Sequence, residues 1–129
     1  MTDCAAVLDA SAVLALLQQE PGEDVVAPLV GRAAWSAVNL CEVAGKLADR
    51  GMPAPAVQDT LDALNLTVHD FDSELGFAAA ELRRLVPRGL SVGDRACIAL
   101  AQRLRLPAIT AEREWTRLDI AGLVVTAIR

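Results

Sequence analysis

Short apolar runs alternate with helix-patterned stretches along this chain, and that order restricts the fold more than any other feature of the sequence. "CAAVLD", residues 4 to 9, is an apolar run closed by an acid, and "ASAVLALLQQE" continues in helix-forming residues until Pro21 and Gly22 stop it. "EDVVAPLV" predicts a second short helix. "GRAAWS" predicts a second strand ending at Ser36, which serves as N-cap for the helix "AVNLCEVAGKLADR" that closes at Gly51. "PAPAVQDTLDALN" opens on prolines and sets Val57, Leu61 and Leu64 on one amphipathic stripe, and "LTVHDF" follows as a strand. The helix "DSELGFAAAELRRLV" breaks at Pro87 and Gly89, before helix "VGDRACIALAQRLR", strand "PAIT" and a last apolar strand, "GLVVTAI". Strands separated by helices pair in parallel, so the expected class is α/β, with a parallel sheet covered on both faces. In such sheets ligands gather outside the carboxyl ends of the strands.

With 129 residues and no repeat or low-complexity linker, the chain is expected to form one domain spanning 1–129. Hydrophobic residues at 53% against 22% charged describe an apolar-rich globular composition that leaves greasy surface for a partner. Asp9, Gln18, Glu42 and Lys46 interrupt every stretch that might otherwise reach the roughly eighteen apolar residues of a membrane span. "MTDCAAVLDAS" has no basic flank and carries acids within it, unlike a secretory signal, and a cytoplasmic location is expected. The cysteines, Cys4, Cys41 and Cys97, form no CxxC pair; their odd count suits a reducing compartment, and each is read as a small buried hydrophobe. The net charge of -5 argues against a protein that coats nucleic acid by bulk electrostatics. Only Arg32, Lys46 and Arg50 precede residue 65, so the basic half is C-terminal, suited either to phosphate contacts or to solvated helix faces.

Four acids stand out. Asp9 closes the first strand, Glu42 lies in the helix after Ser36, Asp94 heads its helix, and Glu112 follows "PAIT". The first three sit in locally apolar surroundings, where an unpartnered carboxylate costs on the order of several kcal/mol. Grouped acids of this kind suit a hard divalent cation, because Mg²⁺ and Mn²⁺ take oxygen ligands and relieve the mutual repulsion. Each acid also has a plainer reading. Ser91 and Asp94 match a capping box, Glu42 can pair with Lys46 one turn on, and Asp9 or Ser11 can start a helix.

"VLDASAVLALL", "NLCEVAGKL", "GLSVGDRACIALA" and "LPAITAEREW" stand in the order of the successive motifs of PIN-domain ribonucleases, and the chain most closely resembles the VapC toxins of toxin–antitoxin pairs. The resemblance implies a PIN-like three-layer α/β/α sandwich with a central parallel sheet and an acidic pocket for Mg²⁺ or Mn²⁺. It implies metal-dependent endoribonuclease activity, hydrolysing RNA phosphodiester bonds, in a toxin that forms a homodimer and is silenced by a cognate antitoxin protein. Carried onto this sequence, the catalytic acids are Asp9, Glu42, Asp94 and Glu112, with Asp9 and Asp94 as metal ligands. The fourth departs from the family pattern, since the usual "T-x-D" is here "TAE". Ser11, Asn39 and Thr110 lie beside the acids as hydrogen-bonding support, and Arg95 and Arg113, each adjacent to an acid, are expected to hold the RNA backbone.

Other chemistries find little footing. The lone histidine, His69, lies on a strand away from these motifs, and no Ser-His-Asp set, phosphate-binding glycine loop or Cys/His zinc spacing is present. Trp35, Trp115, Phe71 and Phe77 are too few for base stacking along a strand, which favours recognition of RNA by shape. Two alternatives remain open: a catalytically weak PIN-fold module binding RNA or protein, motivated by "TAE", and a phosphotransfer fold built on Asp9. The second lacks the DxD pair, because position 11 is serine.

Overall fold

The computed structural model describes residues 4–129. Strand β1 (Ala6–Leu8) leads to helix α1 (Ala10–Leu17), α2 (Glu23–Val26), β2 (Ala33–Ser36), α3 (Ala37–Asp49) and α4 (Ala54–Asp62). Then come β3 (Thr67–His69), α5 (Ser73–Leu85), α6 (Val92–Leu104), β4 (Ala108–Thr110) and β5 (Val125–Ala127). The expected helix through "EDVVAPLV" changes character midway: α2 gives way to a 3-10 turn at Ala27–Leu29. Pro28 lacks the N–H that an α-helical ladder requires there. A second 3-10 turn, Arg113–Arg117, follows β4.

All strand pairs are parallel, in the order β3-β2-β1-β4-β5. The chain therefore steps outward from β1 through β2 to β3, then crosses back to the other side of β1 for β4 and β5. The direction reverses between β1 and β4, which makes the gap beyond their carboxyl ends the topological switch point where such sheets bind ligands.

The strands alternate between two cores. Ala6 and Leu8 of β1 join Trp35 and Ile109 under α1, α3 and α4, with Val43, Leu47, Val57 and Leu61 supplied by the helices. Val7 joins Ala34 and Ala108 under α5 and α6, against Leu75, Leu82, Ile98, Leu100 and Trp115. Both faces are dry, which is why β1, β2 and β4 are apolar at successive positions up to their carboxyl ends rather than at every second one. The result is the expected three-layer α/β/α sandwich. Of the cysteines, Cys97 is buried as expected, Cys4 is half-buried, and Cys41 is exposed; Cys41 lies on the outer face of α3, along a groove against α4. No helix among the described residues is long and apolar enough to cross a membrane.

Candidate metal centre at the sheet switch point

Asp9 stands where β1 ends. Its extended backbone makes it the N-cap of α1, and its Oδ1 accepts the Ala12 N–H at 2.8 Å. Its other hydrogen bonds come from across the switch point and from the first turn of α1. Thr110 at the end of β4 donates its hydroxyl to Asp9 Oδ2 at 2.6 Å, and Ser11 donates at 2.7 Å to Oδ1. Ser11 Oγ and Thr110 Oγ1 also accept the backbone N–H groups of Ala111 and Glu112, at 2.9 Å each. These bonds lock the loop after β4 to the start of α1 and fix one carboxylate orientation. Asp9 is only 3% exposed. Burial pushes its carboxyl above the ordinary value of 3.8, against the lowering pull of the Thr110, Ala12 and Ser11 hydrogen bonds, and the negative charge of Asp94 adds to the rise.

The second carboxylate comes from α3, which begins at the carboxyl end of β2. Ser36 caps that helix as expected, accepting the Val38 N–H at 3.1 Å. One turn in, buried Asn39 donates through Nδ2 to Glu42 Oε1 at 2.8 Å and to the Gly93 carbonyl at 3.1 Å, tying α3 to the head of α6. Gly93 is required by this contact, since a Cβ there would collide with the Glu42 carboxylate. The plainer reading of Glu42 is not met: it forms no ion pair with Lys46 among the described residues.

Asp94 arrives on α6, which ends where β4 is about to begin, so its N-terminus lies at the same carboxyl-end edge of the sheet. Ser91 and Asp94 form the capping box expected from "SVGD": Asp94 N–H donates to Ser91 Oγ at 3.1 Å and Ser91 N–H to Asp94 Oδ2 at 2.9 Å. Asp94 is thus a cap and a cavity residue at once. Glu112 follows β4. Partial desolvation raises its carboxyl above 4.5, helped by a hydrogen bond to Glu114 and by the charges of Glu114, Asp94 and Asp9.

Asp9, Glu42, Asp94 and Glu112 line one cavity of about 410 Å³, together with Ser11 and Asn39. Their negative charge reaches the buried Cys97 thiol, which burial first and then Asp9, Asp94 and Glu42 hold well above 9.0. The donor set is oxygen only and carries unrelieved repulsion, which fits a hard divalent cation. Buried Asn39 Oδ1 has no hydrogen-bond partner, leaving one more oxygen acceptor unspent beside Glu42. Among the described residues, no three His, Cys, Asp or Glu side chains stand together as a preformed metal cage. The acids share the cavity and leave the final convergence to their side-chain rotamers.

Two expected substrate contacts are displaced. Arg95 is 9% exposed, and its Nη1 donates to the Ala79 carbonyl at 3.2 Å on the α5 side of α6. A helix turns about 100° per residue, so the neighbour of a cavity-facing Asp94 faces the core. Arg113 lies outside the cavity wall, with Nε donating to the Arg129 carbonyl at 3.1 Å. The cations that do line the cavity are Lys46, Arg50 and Arg129. Sequence reasoning missed them, although Glu42, Lys46 and Arg50 at four-residue spacing mark one helix face. His69 lies elsewhere, in a small cavity with Cys4, Leu104 and Leu106.

A parallel three-layer sandwich with carboxylates from β1, α3, α6 and the β4 exit gathered at its switch point defines a class of acid-pocket α/β proteins. Within that class, the family model for the PIN domain matches residues 6–121, and the chain belongs to the PIN-domain family. No curated protein matches the chain. Among solved structures, it is similar to a toxin-antitoxin complex from Klebsiella pneumoniae, with TM-score 0.72 and 21% identity over 92% of this chain and 95% of that one. DNA-bound VapBC from Salmonella typhimurium gives TM-score 0.74 and 16% identity, covering 98% and 99%. VapBC-5 from Mycobacterium tuberculosis gives 0.64 and 23%, covering 96% and 98%. At such identities the likeness is one of fold.

Proposed function

We propose that this chain is a Mg²⁺- or Mn²⁺-dependent endoribonuclease, the cytoplasmic toxin of a toxin–antitoxin pair. The observation that carries the reading is the arrival of four carboxylates from four separate elements in one cavity at the switch point. Asp9 and Asp94 would hold the cation, with Glu42 and Glu112 beside them. When bound, it supplies ionisation of water near neutral pH and positive charge for the phosphate oxygens. The chain's own residues set the geometry. Thr110 and Ser11 orient Asp9, Asn39 orients Glu42, and the capping box orients Asp94, so three of the four acids are held by a hydrogen-bonded neighbour.

The partner assignments belong to the same proposal. An antitoxin is supported by the toxin–antitoxin assemblies among the structural neighbours and by the apolar groove between α3 and α4, lined by Leu40, Ala44, Val57 and Leu61. A homodimer is supported by Phe77 and Leu85 on one flank of α5, exposed at 76% and 62%.

A second reading, a PIN-fold module that binds RNA or protein without cutting, is favoured by Glu112 in place of the usual aspartate and by the absence of a preformed cage among the described residues. The deciding experiment is cleavage of defined structured RNAs by purified protein in Mg²⁺ or Mn²⁺, beside EDTA and Asp94→Asn controls. Cutting that vanishes in both controls is expected. No cutting together with weak Mn²⁺ binding selects the second reading.

A further inference from the structure

The cavity is not uniformly acidic. Helices α1 and α3 both start at the carboxyl-end edge of the sheet, pack on the same face and descend side by side. Each presents a four-residue ladder to the cavity: Ala10, Leu14 and the C-cap Gln18 along α1, and Glu42, Lys46 and the C-cap Arg50 along α3. At about 1.5 Å of rise per residue, the step from Glu42 to Arg50 covers about 12 Å. Asp9, Glu42, Asp94 and Glu112 lie at the upper end of this trough and the cations at the lower, where Glu20 is the one further acid that lines it among the described residues. Arg129, also at the lower end, is already engaged, with its Nη1 2.9 Å from the Pro21 carbonyl and 3.7 Å from Glu20. The side chains of Lys46 and Arg50 make no hydrogen bond or ion pair among the described residues, and both residues are exposed.

We propose that Lys46 and Arg50 are positioning residues that grip a backbone phosphate of the RNA on one side of the scissile bond, so that the strand runs down the trough between α1 and α3. This rests on the nuclease reading above. The physical argument is one of charge. A chain of net charge -5 presenting four carboxylates repels a polyanion, and a bound cation answers only the phosphate at the metal. A neighbouring phosphate needs its own counter-charge within reach. Among the described residues, Lys46 and Arg50 are the cations of the cavity wall whose side chains are unpaired, and Gln18 and Leu14, which line the same cavity from α1, bring no charge against a phosphate.

The test uses the full chain and a fluorescein-labelled stem–loop RNA in EDTA, so that binding is read without cleavage. Affinity is measured against salt for the wild type, for Lys46→Ala/Arg50→Ala, for the charge-keeping Lys46→Arg/Arg50→Lys, and for Arg88→Ala as an exposed arginine outside the cavity. Each phosphate of a single-stranded backbone that loses its cation lowers the slope of log affinity on log salt by about 0.7. The double alanine variant gives up that one phosphate and is expected to lose about 0.7 of slope and at least about tenfold in affinity at low salt. The arginine–lysine exchange and Arg88→Ala are expected to keep the wild-type slope. With metal present, the alanine variant is expected to raise KM while kcat holds. Wild type that binds and cuts RNA while the alanine variant keeps its slope and KM overturns this inference and leaves the nuclease reading standing. A wild type that neither binds nor cuts any RNA overturns both, and returns the trough to a protein partner.

Discussion

A methyl group at position 93 would be driven into the Glu42 carboxylate, and from that contact a separation of stability from activity follows. The atoms that must yield belong to the far end of a flexible side chain, so Gly93→Ala costs little in folding, and a helix gains at most roughly 1 kcal/mol from replacing glycine. Glu42 must leave the cavity wall, however. The expected outcome is an unchanged or slightly raised Tm with RNA cleavage reduced at least about tenfold, the loss typical of displaced site geometry; a variant that melts early with normal specific activity would contradict it. Thiol chemistry gives a second prediction at this scale. Cys41 is exposed, whereas the Cys97 thiol is buried and held well above 9.0, so its reactive thiolate is scarce. Alkylation of the native protein should modify Cys41 and spare Cys97 until denaturant is added, as peptide mapping would show. The shared negative field of Asp9, Asp94 and Glu42 on Cys97 is something no spacing in the sequence discloses.

Helix starts carry the site at the scale of elements. Asp9 caps α1, Ser36 caps α3, and Ser91 with Asp94 caps α6, so the interactions that begin the helices also aim the acids. Ser91→Ala removes the acceptor for the Asp94 N–H and is expected to cost about 1 kcal/mol, read as a lower midpoint in urea with an unchanged slope. It also loosens the backbone that holds Asp94, so cleavage should fall with it; a variant of full stability would show that Asp94 alone suffices as cap. The strand and helix order was legible because both cores are dry and the central strands β1, β2 and β4 are apolar until their carboxyl ends. The 3-10 turn at Arg113–Arg117 was not legible, since its polar surface residues carry no period, and its buried Trp115 belongs to a core assembled from distant segments.

For the molecule as a whole, the site works against the fold. The folded-state carboxyls of Asp9 and Glu112 lie above their ordinary 3.8 and 4.5, so the folded chain binds these protons more tightly than the unfolded chain. Their contribution is favourable below those ordinary values and is lost as pH rises through the raised ones. Comparison of wild type with Asp9→Asn isolates one group: the stability of wild type relative to the variant should fall as pH climbs from 3.8, then level off. A difference flat across that window would refute the burial argument. Added Mn²⁺ should raise the wild-type Tm more at about pH 7.5 than at about pH 5, because binding is linked to the same deprotonation.

The α/β class, the order of elements and the helix caps are written in local periodicity and capping chemistry, and short motifs single out the four acids as candidates. Which side chains share the cavity is set by tertiary packing. Arg95 follows Asp94 in sequence yet turns into the core beneath α5, and Arg113 follows Glu112 yet falls outside the wall, whereas Lys46 and Arg50, one and two turns beyond Glu42, line the site. The reason is geometric. Adjacency along a helix separates side chains by about 100°, while a parallel sheet brings the ends of β1 and β4, a hundred residues apart, into hydrogen-bonding contact through Asp9 and Thr110.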